Sequence, residues 1–363
     1  MTNYLLAGGG TGGHVNPLLA IAEAIRRSEP SSKVVALGTA EGLEARLVPL
    51  RGFELETIEK LPFPRKIGGY AFSFPFKFGR AVTQIVKLIR DREIDVVVGF
   101  GGYASAPAYL AAKRAGVPYV IHEANALPGL ANRLGVKNAA AVAVAFASTK
   151  LANAVVTGMP LRFEIEVAIQ KSNRTAARAE LGLKEDVVTL LVTGGSLGAK
   201  RINETIAASI GTLDAAGIQV LHITGGNSEL AELRGGSMVR MKYCDRMDLA
   251  IAAADLAIAR AGASTVCEFG AFGLPSVFVP YPVGNGEQRF NAADLVASGG
   301  AVMVADSEFT PEFVRDTVIP MISNSKALKV MSQAAKQASI GNGTNRLLEL
   351  IQSVLPGNQG SAK

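Results

Sequence analysis

The sequence predicts an α/β protein of two Rossmann-like domains whose parallel sheets face each other across a cleft, and three observations predict it. The chain has 363 residues, too many for one ordinary core, and 48% of them are hydrophobic. Short runs of Val, Ile and Leu alternate with segments of helical period, the pattern of a parallel sheet covered on both faces. A strand, a glycine-rich loop and a helix start occur in that order twice, around Gly8-Gly9-Gly10-Thr11-Gly12-Gly13-His14 and around Gly194-Gly195-Ser196-Leu197-Gly198-Ala199.

In the first half, strands are expected over 4–7, 34–37, 53–58, 95–99, 119–122 and 139–145, with helices over 17–27 and 106–115 among those between them. In the second half, strands are expected over 187–193, 220–224, 256–259 and 276–279, and helices over 202–210, 265–272 and 288–297. The boundary falls near Gly158-Met159-Pro160-Leu161-Arg162. This gives domains over 1–160 and 161–340. Residues 341–363 form a C-terminal helix able to pack back on the first domain, then a mobile Gly/Ser-rich tail after Pro356. The polar stretch 170–178 reads as a loop or part of the linker.

Composition excludes several classes. The longest charge-free apolar region, 269–286, is broken by Pro275, Pro280 and Pro282, so it does not read as a membrane span. Residues 1–7 lack a basic segment before their apolar run and read as a first strand, not a secretory signal, which points to the cytoplasm. Cys244 and Cys267 offer neither a disulfide framework nor zinc spacing, and His14, His122 and His222 stand far apart. No protein-built metal site and no cofactor are expected. The net charge of +6 is concentrated: residues 60–92 carry eight basic residues against Asp91 alone. One basic segment on a near-neutral body suits a specific anionic surface and argues against a nucleic-acid partner.

Gly8-x-Gly10-x-x-Gly13 lets backbone amides approach phosphate oxygens at a helix N-terminus, although a tight turn without ligand has the same pattern. A nicotinamide site needs an acid ending the second strand. That strand ends Leu37-Gly38-Thr39-Ala40, with Glu41 coming late. His14 begins the first helix, where the dipole disfavours imidazolium, so it can be a neutral base or a capping-region residue. Ser196 can bind phosphate or cap the next helix. In Arg260-Ala261-Gly262-Ala263-Ser264-Thr265-Val266-Cys267-Glu268, the amides at the helix start can hold a pyrophosphate and Glu268 a ribose. Thr265 and Glu268 also fit a capping box. His122-Glu123-Ala124-Asn125 lies at the carboxyl edge of a strand, as a ligand contact or a hydrogen-bonded turn. Phe72, Phe74 and Phe76, in an expected loop beside Gly68 and Gly69, are surrounded by Arg65, Lys66, Lys77 and Arg80. They read as a contact with an anionic membrane, the alternative being core aromatics with a solvated basic rim. Phe78, Val82, Ile85 and Ile89 read as the buried face of the helix that follows.

In this order, from about residue 5 to 345, these segments resemble the MurG family, the UDP-N-acetylglucosamine transferases of peptidoglycan synthesis. Gly99-Phe100-Gly101-Gly102-Tyr103, Gly158 to Arg162, and Gln288 with Asn291-Ala292 add to the resemblance. It implies a GT-B fold with a membrane-contacting N-terminal acceptor domain and a C-terminal domain for UDP-N-acetylglucosamine. The acceptor would be undecaprenyl-pyrophosphoryl-N-acetylmuramoyl-pentapeptide, and the enzyme would sit peripherally on the cytoplasmic face of the cell membrane. Thr11, Gly12, Gly13, Asn125, Arg162, Ser196, Cys244, Arg260, Ala263, Ser264, Thr265, Glu268 and Gln288 are the implied donor contacts. His14 is the candidate base, with Tyr103, His122 and Glu123 on the acceptor side. Ala124, Met159 and Glu287 depart from the family pattern, which usually has Gln, Asn and His there. A diacylglycerol glycosyltransferase and a UDP-sugar epimerase share these features. A nicotinamide enzyme and a non-catalytic membrane-docked scaffold are the readings from other classes.

Overall fold

The computed structural model describes residues 1–64, 68–283 and 285–355. Arg65 and Lys66, expected at the membrane, and the tail from Pro356 lie outside the described residues. The chain forms two compact units, Met1–Arg162 with Ile340–Lys363, and Phe163–Ser339.

The first unit holds β1 (Asn3–Ala7), β2 (Lys33–Thr39), β3 (Glu54–Ile58), β4 (Val96–Gly99), β5 (Tyr119–Glu123), β6 (Ala141–Val144) and β7 (Ala154–Val156). They pair in the order β3-β2-β1-β4-β5-β6-β7, all parallel. Successive strand residues face opposite sides. Tyr4 and Leu6 accordingly enter one core with Val96 and Val98, while Leu5 and Ala7 enter the other with Val97. The helix Gly12–Ser28 buries Val15, Leu18, Ile21 and Ile25 on the first face. The helix Gly343–Ser353 adds Leu347, Leu348 and Ile351 to the same core, and its Gln352 amide donates to Glu29 at 2.6 Å.

The second unit holds β8 (Thr189–Thr193), β9 (Gln219–Ile223), β10 (Leu233–Gly235), β11 (Met238–Met241), β12 (Leu256–Ala259), β13 (Ser276–Phe278) and β14 (Ala301–Met303). Their order is β10-β11-β9-β8-β12-β13-β14, parallel except for the antiparallel edge pair β10–β11. β7, β10, β11 and β14 were not anticipated. Each has only three or four residues, and β10 is exposed throughout, so none carries a long apolar run.

Two expectations are corrected. Residues 170–178 are not all loop: the helix Arg174–Glu180 occupies the end of the stretch, capped by the Asn173 side chain. Its Arg178 is buried, where desolvation lowers the guanidinium pKa, and is held by Asp255 at 2.6 Å and by the carbonyls of Ala253 and Glu185. Residues 72–76 are also helical, within Gly69–Asp91. Helical spacing separates the three phenylalanines. Phe72 and Phe76, four apart, are 73% and 82% exposed. Phe74 turns the other way, packs against the core and contacts the rings of Phe63, Tyr70 and Phe78. Val82, Ile85 and Ile89 form the buried face, with Phe78 packed against the core beside them.

Candidate functional site

In each sheet the strand order reverses once, between β1 and β4 and between β8 and β12. Loops leaving the carboxyl ends of such a strand pair flank the ligand site of open parallel sheets. The sequence motifs occupy those loops in both units.

In the first unit, Thr11 occupies the cap position of the helix Gly12–Ser28 in extended conformation without a side-chain cap bond, and its carbonyl accepts from the His14 and Val15 amides at 3.1 Å. His14 lies half-buried in this first turn. Its Nδ1 is 3.0 Å from the Gly9 carbonyl, and the Thr11 hydroxyl lies at 3.5 Å, the limit of hydrogen bonding. A carbonyl only accepts, so Nδ1 is the donor of this contact, and the neutral tautomer compatible with it keeps its lone pair on Nε2. Tyr103 lies beside Gly10, with the Lys60 ammonium 5.7 Å from its ring centroid. Buried Ser105 ties the loop after β4 to β1: its hydroxyl accepts from the Gly101 amide at 2.9 Å and lies 3.0 Å from the Ala7 carbonyl.

One residue of this site was missed. Glu44, at the start of the helix Glu44–Leu50, is 1% exposed and lies beneath the first glycine loop. One carboxylate oxygen accepts from the Gly10 amide at 2.7 Å. The other accepts from the Thr39 amide at 2.9 Å and the Thr39 hydroxyl at 2.8 Å. A side chain on Gly9 would collide with this carboxylate. The only signal in the sequence is an acid five residues past the end of β2, where the chain turns back through Gly42.

His122 and Glu123, expected on the acceptor side, are both enclosed by the fold. Both are β5 residues, 0% and 2% exposed. The His122 ring packs on Phe100, and burial pushes its pKa down to about 4. The Glu123 carboxylate accepts from the Asn125 and Gly129 amides and the Asn132 side chain, each at 2.9 Å, and so shapes the turn that presents half-buried Asn125. Arg162 is half-buried at the end of the first stretch of this unit.

His222 is likewise buried, hydrogen-bonded to Asn203 at 3.0 Å, with a pKa lowered by burial to about 3. Both histidines ionise more readily unfolded than folded. Their contribution is complete above pH ~6.5 and is lost as pH falls toward 4 and then 3, at about 1.4 kcal/mol per pH unit for each site. Denaturant unfolding at pH 5 should therefore give a lower stability than at pH 7.5. An unchanged value would contradict neutral burial.

In the second unit, the loop after β8 leads to the helix Lys200–Ala215. Ala199 occupies its cap position, so Ser196 is not the cap, and the Ser196 side chain is exposed. The helix Ala263–Phe272 starts from Gly262, which makes Thr265 the third helical residue and excludes the capping box. The Ser264 hydroxyl is buried at this helix start with no hydrogen-bond partner among the described residues. Ala263 and Glu268 are buried in the same helix, and Cys244 is buried between β11 and the helix Met247–Ala253. Arg260, expected as a donor contact, has partners within the unit. Its guanidinium pairs with Asp306 at 2.5 Å, donates to the Val279 carbonyl at 3.0 Å and faces the Tyr281 ring. Gln288 accepts from the Tyr281 amide at 2.9 Å, and buried Asn291 donates to the Ala261 carbonyl at 3.2 Å, steadying the loop after β12. The described residues contain no group of three or more His, Cys, Asp or Glu placed to hold a metal ion.

The profile of the glycosyltransferase family 28 N-terminal domain matches residues 4–144, and that of its C-terminal domain matches 189–347. The UDP-N-acetylglucosamine–N-acetylmuramyl-(pentapeptide) pyrophosphoryl-undecaprenol N-acetylglucosamine transferase of Leifsonia xyli is 55% identical, over 98% of this chain and 99% of the relative. The transferase of the same name from Streptomyces coelicolor is 45% identical over 97% and 98%. Among solved structures, Acinetobacter baumannii MurG matches with a TM-score of 0.78 and 28% identity, over 98% of this chain and all of the other. A Listeria monocytogenes structure described as a UDP-N-acetylglucosamine 2-epimerase reaches 0.70 at 15% identity, a likeness of fold alone.

Proposed function

From the premise that the chain belongs to the MurG family within glycosyltransferase family 28, we propose that it moves N-acetylglucosamine from UDP-N-acetylglucosamine to undecaprenyl-pyrophosphoryl-N-acetylmuramoyl-pentapeptide. The observation that carries this is 55% identity to a transferase of that name across nearly the whole of both chains. The fold is the GT-B arrangement of two Rossmann-like domains, and the protein is a UDP-sugar-dependent transferase.

The first unit takes the acceptor. Its muramoyl 4-hydroxyl attacks the anomeric carbon of the donor and gives its proton to Nε2 of His14, as the bond to the diphosphate oxygen breaks with inversion. Tyr103, beside Gly10, is the acceptor-side contact, and Asn125 is a donor-side contact. Thr11, Gly12, Gly13 and Arg162 complete this unit's donor contacts. In the second unit, the amides at Ser196 and at Ala263–Thr265 receive the charge developing on UDP, where preorganised donors act most strongly. Glu268 accepts from the ribose and Gln288 holds the sugar. A nicotinamide reading fits poorly, because Glu44 already occupies the Gly10 amide that a dinucleotide would need. UDP release should require both UDP-N-acetylglucosamine and a short-chain analogue of the lipid-linked muramoyl acceptor. Equal release with diacylglycerol would overturn the substrate assignment, and release without any acceptor would overturn the transfer.

No helix among the described residues is long and apolar enough to cross a membrane. Membrane contact at the cytoplasmic face is assigned to Phe72 and Phe76, with Arg80 exposed and Lys77 half-exposed beside Glu59. Phe72→Ser with Phe76→Ser should lower binding to anionic vesicles several-fold and leave the melting temperature unchanged. Phe74→Ser should instead cost about 1–3 kcal/mol of stability by removing a packed ring. Undiminished vesicle binding by the double variant would remove the patch from the membrane.

A further inference from the structure

Two hydrogen bonds described above share one peptide group. The carbonyl of the Gly9–Gly10 peptide accepts from His14 Nδ1 at 3.0 Å, and its N–H donates to Glu44 at 2.7 Å. The geometry points to Glu44 as the positioning residue of the site, acting on His14 through this peptide. The inference rests on the transferase reading only in giving His14 a proton to accept.

A carboxylate accepting from an amide N–H draws that dipole toward itself and makes the amide oxygen a better acceptor. The Gly9 carbonyl then holds the Nδ1 proton more firmly, fixes the ring angle and leaves the lone pair on Nε2. In a catalytic triad a carboxylate binds the histidine directly to select its tautomer. Here the backbone stands between them. The arrangement explains why so buried a carboxylate is kept at this place. Both of its oxygens are occupied by donors of the loop and of Thr39. It also explains Gly9, since any side chain there would displace the carboxylate. The ring is confined on its other side as well: a side chain on Gly101 would lie within 2.9 Å of His14 Nε2.

The test uses the full chain with 15N-labelled histidine. Three histidines are present, so a single His14→Gln spectrum assigns the His14 signals. In the unaltered protein, at a pH where His14 is neutral, the ring should be the Nδ1–H tautomer. An Nε2–H ring would overturn the inference without any assay. Glu44→Gln keeps the shape but sets an amide N–H against one of the buried donors. Its kcat should fall about 10- to 100-fold, a part of the contribution of a positioned general base. The KM for UDP-N-acetylglucosamine should stay within threefold, and the His14 signals should become those of mixed tautomers. Glu44→Asp, which keeps the charge but cannot reach both Gly10 and Thr39, serves if the glutamine variant does not fold, and should change the signals in the same direction. A folded variant with an unchanged tautomer and kcat would overturn the role of Glu44. If His14→Ala keeps full turnover, the base assignment fails, and the tautomer shift still decides the Glu44–His14 coupling.

Discussion

His14→Ala should lower turnover by about two to four orders of magnitude, the usual contribution of a positioned general base, while UDP-N-acetylglucosamine affinity stays within about threefold. The expectation follows from the ring's bonding. Nδ1 is committed to the Gly9 carbonyl, so the free lone pair is on Nε2, at the loop beside the strand-order reversal of the first sheet. Structural loss should be small, because the ring is only half-buried and the helix behind it is anchored by Val15, Leu18, Ile21 and Ile25. Single-turnover rates with donor bound in advance, set beside calorimetric donor affinity, separate the two effects. Normal turnover would eliminate His14. Weakened affinity with normal turnover at saturation would make it a donor contact instead.

The second large effect is expected at Gly198. Its φ of +88° lies where L side chains are strained, and an added Cβ would collide with the Thr224 carbonyl, a backbone atom that cannot swing aside. Strain of this kind costs about 1–3 kcal/mol before the clash is counted. Gly198→Ala must therefore shift the loop that presents Ser196, and UDP affinity should fall at least tenfold, about 1.4 kcal/mol. Gly182→Ala is the matched control. It also has positive φ, at +73°, but opens into free space. It should lose stability without losing UDP affinity. Equal UDP affinity for the two variants would place the nucleotide away from the loop after β8.

The central strands and the motif loops were legible because their signals are local. A buried parallel strand must be apolar on both faces, and a chain turning into a helix at an anion site needs glycine. Edge strands such as β10 carry neither constraint and left no trace. Phe72, Phe74 and Phe76 show the limit of composition. Their residue type suited a membrane loop, but the helical period places only Phe72 and Phe76 outward and turns Phe74 to the core. At His122 and Glu123, polar residues at a strand's carboxyl edge suggested ligand contacts. In the fold both are buried: the ring of the first packs against Phe100, and the carboxylate of the second holds a turn.

The order of strands, helices and glycine loops along the chain, and with it the family and the repeated Rossmann plan, was determined by the sequence alone, since hydrophobic period and turn chemistry act between neighbours in the chain. The tertiary structure alone decided which polar groups stand exposed at the motif loops and which are paired inside. It carried Glu44 back beneath Gly10, paired Arg260 with Asp306 and left the His14 Nε2 lone pair free. Those outcomes depend on hydrogen bonds and burial between residues distant in sequence or brought together by a turn, and no local pattern encodes them.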